Sequence, residues 1–168
     1  MRMPSFATAA GWGCVRRKTT AGKVCRPAST RYCAQRTDEP PEALVELVYA
    51  GDREALAVKR QLAVAEDWPD RWATLSHGER KRAQIAVALW AAPDILALDE
   101  PTNHIDAAAR HMLAAALHDY HGVGLLISHD RELLDDLCEQ CLFLDPPDAV
   151  MRPGGVTHGA EQGRIEKG

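Results

Sequence analysis

Three short apolar runs separated by helix-period stretches predict an α/β protein built on a parallel sheet. The runs are "ILAL" (95–98), "VGLLIS" (123–128) and "CLFLD" (141–145). An apolar run of this length, carrying no alternation, is the pattern of a central strand covered on both faces. Between the first two, Ala109, Met112, Leu113, Ala116, Leu117 and Tyr120 recur at the spacing of one helix face; between the last two, Leu133, Leu134 and Leu137 do so. No hairpin signal joins the runs, so the order strand, helix, strand, helix, strand implies right-handed crossovers and parallel pairing. Ligands of such sheets gather at the carboxyl ends of the strands.

From the amino end, residues 1–20 show neither a helical nor a strand period, and 1–21 are expected to form a poorly ordered leader. "VCRPASTRYCAQ" (24–35) places Val24, Tyr32 and Cys33 where short strands would flank a proline bend. "TDEPPE" then breaks the chain. Leu44, Leu47 and Val48 mark a helix that Gly51 stops, and Ala55, Val58, Leu62 and Ala65 mark a second. "DWPDRW" closes this helical segment with a proline turn and two aromatic anchors, Trp68 and Trp72. From Gly78 to about Ala91 the chain reads as a helix, polar at first and then almost wholly apolar, so its far end is buried. Asp106 and Asp130 stand where they would cap the two later helices.

Composition sets the class. At 168 residues, 46% apolar and 26% charged, the chain is long enough for one domain with a core. No apolar run approaches the ~20 residues of a membrane span. Five cysteines without regular spacing do not form a disulfide framework, and a reducing, cytoplasmic setting is the simplest reading. The net charge of −4 hides an asymmetry: residues 1–37 carry eight Lys/Arg and no acid. Such a start suits a targeting peptide or a nucleic-acid arm, but it lacks the continuous apolar segment of a secretory signal.

The strand ends carry the chemistry. Asp99 and Glu100 directly follow "ILAL", which sets two carboxylates at one carboxyl edge. A carboxylate there can hold Mg²⁺ against nucleotide phosphates, and its neighbour can polarise a water; the pair can equally be an ordinary strand end. His129, after "LLIS", repeats the arrangement on the next strand, where it can bond a phosphate or a water, or simply face solvent. "TLSHGERKRAQIAVAL" opens a helix with Ser76 at its cap, Gly78 allowing close approach and Glu79 in the first turn. Such a terminus is an anion site or a plain capped helix.

In order and spacing, "LSHGERKRAQIAVAL", "PDILALDEPTNHID" and "LLISHD" resemble the signature motif, the Walker B strand with D-loop, and the switch histidine of ATP-binding cassette (ABC) ATPases. "LSxGE" with "DEPTNHID" looks most like the ABC-F branch, whose members lack membrane domains. The resemblance covers roughly residues 22–155, and the run 74–130 carries its most specific motifs. It implies a partial P-loop NTPase sheet of the ABC type over 22–168, with a small helical subdomain at 38–72. It also implies ATP and Mg²⁺ as ligands. In that light Asp99 is the Mg²⁺-water ligand, Glu100 the catalytic carboxylate, Asp106 the D-loop aspartate and His129 the switch histidine. Ser76, Gly78 and Glu79 match signature residues that meet the γ-phosphate held by an opposite cassette; His77 stands where many members carry Gly. "RYCAQ" resembles the strand end of the Q-loop, making Gln35 the residue expected near Mg²⁺ and the attacking water. Partners follow from the same resemblance: a second cassette, head to tail in cis or trans, and the ribosome as the machine acted on. A cassette energising a membrane transporter is the alternative. It is disfavoured because 38–72 is short for a groove that engages membrane domains. A non-catalytic fragment presenting only the signature half of a composite site is a further one.

One motif is missing. A phosphate-binding loop reads G-x-x-x-x-G-K-[ST], its glycines bringing backbone N–H groups onto the phosphates. Aligned on Gly22-Lys23, the first glycine position is Arg17 and the metal-binding hydroxyl is Val24. The loop must also open a helix of at least ~10 residues before the next strand, yet Lys23 lies only twelve residues before Gln35. "GKVCRP" fits instead the strand that approaches the Q-loop. The chain is thus expected to be a cassette without its opening third, 1–20 being read-through from a displaced start or frameshift, or else a natural fragment binding ATP in trans. Elsewhere, Cys138 and Cys141 are expected to be buried as small apolar residues rather than to bind metal. His111, His118 and His121, and the basic residues of "ERKRAQ", are expected on solvated faces, the latter also being able to touch RNA.

Overall fold

The expected alternation of strand and helix is present from Ile95 onward, in a computed structural model that describes residues 13–17, 28–145 and 148–157. The elements are β1 (Gly13–Arg17), β2 (Thr30–Cys33), α1 (Leu44–Tyr49), α2 (Arg53–Gln61), α3 (His77–Trp90), β3 (Ile95–Asp99), α4 (Ala107–His118), β4 (Val123–Ile127), α5 (Arg131–Leu137), β5 (Gln140–Asp145) and β6 (Asp148–Pro153). A single 3-10 turn at Trp72–Thr74 precedes α3. The pair Gly22-Lys23, Val24 and much of the expected leader lie outside the described residues.

All six strands join one sheet in the order β2, β3, β4, β1, β5, β6. The first three are parallel. Cys33 pairs with Leu98, and Leu98 with Leu126, so their carboxyl ends are level. The rest of the sheet departs from the expectation of parallel pairing throughout. β5 and β6 form an antiparallel hairpin, closing between Asp145 and Asp148. In sequence, Pro146-Pro147 stands between the two strands, not the Asn-Gly or Asp-Gly pair that signals a hairpin. The second departure is β1, which the lack of period in 1–20 did not suggest. It lies between β4 and β5, antiparallel to both, so β4 and β5 run in the same direction with one strand between them.

Burial alternates along the parallel strands. Leu96, Leu98 and Leu126 are at most 4% exposed and face Leu113, Leu117, Leu134 and Leu137 of α4 and α5 across one core. The opposite face is less covered: Ile95 and Ala97 are half-buried, and Leu125 and Tyr32 are exposed. Asp106 and Asp130 cap α4 and α5 as expected, each accepting from the N–H three residues on.

The helical segment packs onto the same core through Leu44, Leu47, Val48, Ala55, Leu62, Trp68 and Trp72, all buried. Lys59 ties its two helices together by donating to the carbonyls of Val48 (2.7 Å) and Ala50 (2.8 Å) at the end of α1. α2 ends at Gln61 rather than continuing to Ala65, because Ala63 takes a left-handed turn at φ 49°. The Trp72 indole N–H donates to the carbonyl of Asp38 at 3.1 Å, which anchors the start of the segment to its end. Cys138 and Cys141 are both buried, and Cys141 is disulfide-bonded, which the cysteine spacing did not suggest.

Candidate functional site

The level carboxyl ends of β2, β3 and β4 gather four side chains. Asp99 closes β3, and the Tyr32 hydroxyl of β2 donates to its Oδ2 at 2.9 Å. Partial burial, and then this hydrogen bond to a carboxylate, hold the Tyr32 phenol above its usual range. Glu100 turns the chain out of the strand with φ 44°, a left-handed conformation that a non-glycine residue adopts at a cost of ~1–3 kcal/mol. Two backbone bonds hold it there: its N–H donates to Ile127 (2.8 Å), and its carbonyl accepts from Asn103 (3.2 Å). The turn aims the carboxylate across to β4. There Oε2 accepts the His129 backbone N–H and Oε1 meets His129 Nε2, both at 3.4 Å. The Glu100 side chain is 16% exposed and that of His129 is 72% exposed, so the pair sits at the surface with its carboxylate sheltered.

A second group forms at the amino end of α3. Ser76 and Glu79 make a complete capping box: Ser76 Oγ accepts the Glu79 N–H at 3.2 Å, and Glu79 Oε2 accepts the Ser76 N–H at 2.8 Å. The Ser76 N–H and then the Ser76 hydroxyl, both donating to Oε2 at 2.8 Å, hold the Glu79 carboxyl below its usual range. Gly78 lies against Ile105: a Cβ there would sit 3.4 Å from its Cγ2, in ordinary van der Waals contact. His77 packs edge-on against His104, with ring centroids 5.5 Å apart, and His104 is itself left-handed at φ 58°. The 76–79 turn thus lies directly on the 104–106 segment, whose Asp106 caps α4 at 2.7 Å.

Gln35 lies two residues beyond the end of β2 and is exposed. Among the described residues, no hydrogen bond or ion pair joins Gln35, or any of Ser76, Gly78 and Glu79, to the Asp99, Glu100 and His129 group. Nor does any cluster of three metal-ligating side chains occur among them. Among the described residues no hydrogen bond to Asp99 Oδ1 occurs, and such a hard carboxylate oxygen suits Mg²⁺, which takes one or two carboxylates plus substrate phosphates.

Two side chains of this region were not singled out by sequence. Tyr32 read as a strand residue, and only its register opposite Ala97, two residues before Asp99, reveals the contact. Lys81 belongs to "ERKRAQ", expected on a solvated face or against RNA, yet it is 1% exposed. Its neighbours correct the same expectation. Arg80 donates to the carbonyls of Trp72 and Ala73 and lies 5.8 Å from the Trp72 ring; Arg82 donates to that of Leu62 and lies 5.2 Å from the Trp68 ring. All three cations are spent inside the chain. His111, His118 and His121 are exposed as expected.

A sheet with a parallel β2–β3–β4 core, helices packed on it and a small helical subdomain is the fold of a cassette-type ATPase domain. A family profile described as ABC transporter matches residues 16–103, just over half of the chain. The chain belongs to the ABC family, in its ABC-F branch. It is 37% identical over 123 residues to the energy-dependent translational throttle protein EttA of Escherichia coli K12, covering 71% of this chain and 22% of that protein. To the ATP-binding protein Uup of Caulobacter vibrioides it is 36% identical over 119 residues, or 70% and 20% of the two chains. It therefore spans about a fifth of the length of these curated relatives. Among solved structures, a ribosome-bound archaeal Pelota and ABCE1 assembly contains a chain matched with a TM-score of 0.63 and 25% identity, covering 80% of this chain and 25% of that one. The ATP-binding cassette MJ0796, as a post-hydrolysis dimer with ADP and Pi, shares the fold with a TM-score of 0.59 at 20% identity, covering 75% and 63%.

Proposed function

We propose that this chain carries the hydrolytic edge of one ATP site and the signature turn of the opposite one, and that another segment or chain supplies the phosphate grip beside its hydrolytic edge. The observation that carries the reading is the Glu100–His129 pair: a strained turn at the end of β3 holds a sheltered carboxylate 3.4 Å from an exposed imidazole just beyond the end of β4. Glu100 would accept a proton from the attacking water as general base, and His129 would hold that water and the γ-phosphate in line. Asp99, braced by Tyr32, and Gln35 would hold Mg²⁺ through its waters. The bound ion supplies neutralisation of phosphate charge. Ser76, Gly78 and Glu79, with Asp106, would face the γ-phosphate of ATP seated on the opposite cassette.

The 168 residues contain no G-x-x-x-x-G-K-[ST], so the isolated chain would neither grip ATP nor turn it over. The names of its relatives, a translational throttle and a ribosome-bound assembly, favour the translation machinery as the partner, and with it a cytoplasmic setting. α1 and α2 span only six and nine residues, which disfavours a transporter-coupling role. No helix among the described residues is long and apolar enough to cross a membrane. The test is a fluorescent-ATP titration. The chain alone should give no Mg²⁺-dependent binding. Mixing it with a phosphate-loop segment that completes its own sheet and carries no catalytic carboxylate should restore turnover. Tight binding by the isolated monomer would refute the missing grip, and an inert mixture would refute the hydrolytic role.

A further inference from the structure

Lys81 is a buried ammonium without an ion pair among the described residues. Its Nζ donates to the carbonyl of Ala34 at 2.7 Å and to Oε1 of Gln84 at 3.1 Å. The Cys33 thiol, which acts on it electrostatically, is pushed up to about 11 by burial and is therefore neutral, so it offers no counter-charge. The carboxylates of Asp99 and Glu100 act on Lys81 only at longer range. Desolvating a lone ammonium is expensive, and a methionine would fill the same space at no such penalty. What a methionine lacks is the donor that spans from α3 to the end of β2.

That span has a consistent target. Ala34 immediately precedes Gln35 and Arg36 immediately follows it. Gln84, while accepting from Lys81, reaches the Arg36 carbonyl with Nε2 at 3.4 Å. One turn towards the amino end, His77 Nδ1 shares a hydrogen bond of 3.4 Å with the buried Thr37 hydroxyl. His77, Lys81 and Gln84 lie on one face of α3, at spacings of four and three residues. They hold Ala34, Arg36 and Thr37, on either side of an exposed Gln35. The same helix begins with Ser76, Gly78 and Glu79.

We infer that Lys81 is a positioning residue, which with Gln84 clamps the peptides on either side of Gln35 to α3 so that Gln35 and the 76–79 turn keep a fixed relation. Its consequence for ATP turnover rests on the composite-site reading above; the clamp itself does not. Gln35 is held from behind, through its backbone, which leaves its amide side chain clear to face a ligand. Movement of α3 would then carry Gln35 with it.

Two measurements test this separately. The first uses the chain alone, isotope-labelled, and compares backbone amide order parameters of the wild type with Lys81→Met, Lys81→Arg and the milder Gln84→Ala. Lys81→Met should lower the values for Gln35, Arg36 and Thr37 from about 0.85 towards about 0.6 while β3 and β4 amides keep theirs. Lys81→Arg, which retains donors, should recover part of the loss, and Gln84→Ala should loosen Arg36 alone. Unchanged order at 35–37 in Lys81→Met, or a loss spread evenly through the sheet, overturns the clamp. The second measures turnover in the mixture with the phosphate-loop segment. Lys81→Met should lower kcat about tenfold with KM within about twofold, and Lys81→Arg should restore it. Equal loss in both parameters would make Lys81 merely structural. An inert wild-type mixture would sink the composite-site reading and leave the order parameters to decide the clamp.

Discussion

β1 and β3 are interior strands of the same sheet, each five residues long and each paired on both sides, yet they are built on different terms. β3 is ILALD, with Leu96 and Leu98 in the core, parallel neighbours on both sides and a strained acidic turn at its end. β1 is GCVRR and runs antiparallel to both neighbours, between two strands that are parallel to each other. Its residues Gly13 and Arg17 pair with Ile127 and Val123, so β1 starts at the edge where β4 ends. The lesson is that a sheet position and a site-bearing strand are separate things. A slot between β4 and β5 can be filled by a strand whose direction points its carboxyl end away from the functional edge.

The comparison predicts unequal dependence of the fold on the two strands. Leu98→Ala removes a side chain 1% exposed in the core and should lower unfolding free energy by about 2–5 kcal/mol in urea titration. Val15→Pro removes a ladder N–H from β1, a net loss of about 0.5–1.5 kcal/mol if the rest of the sheet holds. Should Val15→Pro unfold the chain as thoroughly as Leu98→Ala, β1 is as much a part of the core as β3 and the contrast fails.

Function should divide in the same way. In a complemented assembly, Glu100→Gln should slow hydrolysis on the order of 10²–10³-fold while ATP binding persists. Turnover indifferent to that change would remove Glu100 from its role and leave the β3 edge without special standing.

How much of this was legible follows from where the information sits. β3, β4, α4 and α5 are local patterns: "ILAL" and "VGLLIS" bounded by capped helical periods, with Asp106 and Asp130 bonding as their positions suggested. The pairing of Glu100 with His129 was legible only as two strand ends, because adjacency depends on strand order. β1 has no signal of its own, as its pairing is wholly long-range. Lys81 was misread for a related reason. Its burial depends on β2 arriving beside α3, 47 residues away in sequence, and charge alone argues for solvent. Prolines at 146–147 concealed the β5–β6 hairpin.

Asp106 lets a structural part be separated from a functional one. It caps α4, so Asp106→Ala should cost about 1 kcal/mol of stability. Asp106→Asn keeps a good cap and should leave the melt unchanged, while still removing the charge that a D-loop role would use. If both variants melt alike, the cap carries no weight at this terminus.

The smallest effect concerns the contact between the 76–79 turn and the 104–106 segment, and it appears as a pH dependence. Partial burial, and then the charges of Lys81, His104 and Arg80, hold the His77 imidazole below the usual 6.5, against a weaker opposing pull from Asp38. His77 Nε2 is buried with no hydrogen-bond partner among the described residues, so a proton there gains little in the folded state. The unfolded chain binds that proton more readily. Stability from the neutral imidazole is therefore complete above 6.5 and is lost as the pH falls below it, through the lowered folded-state value. Urea midpoints of the wild type and His77→Asn, taken at several pH values between 5 and 8, isolate this residue from the other titrating groups. The wild type should lose stability more steeply below pH 6.5 than the variant. Parallel profiles would mean that His77 is solvated in the folded chain, and that its contact with His104 is looser than a 5.5 Å ring pair implies.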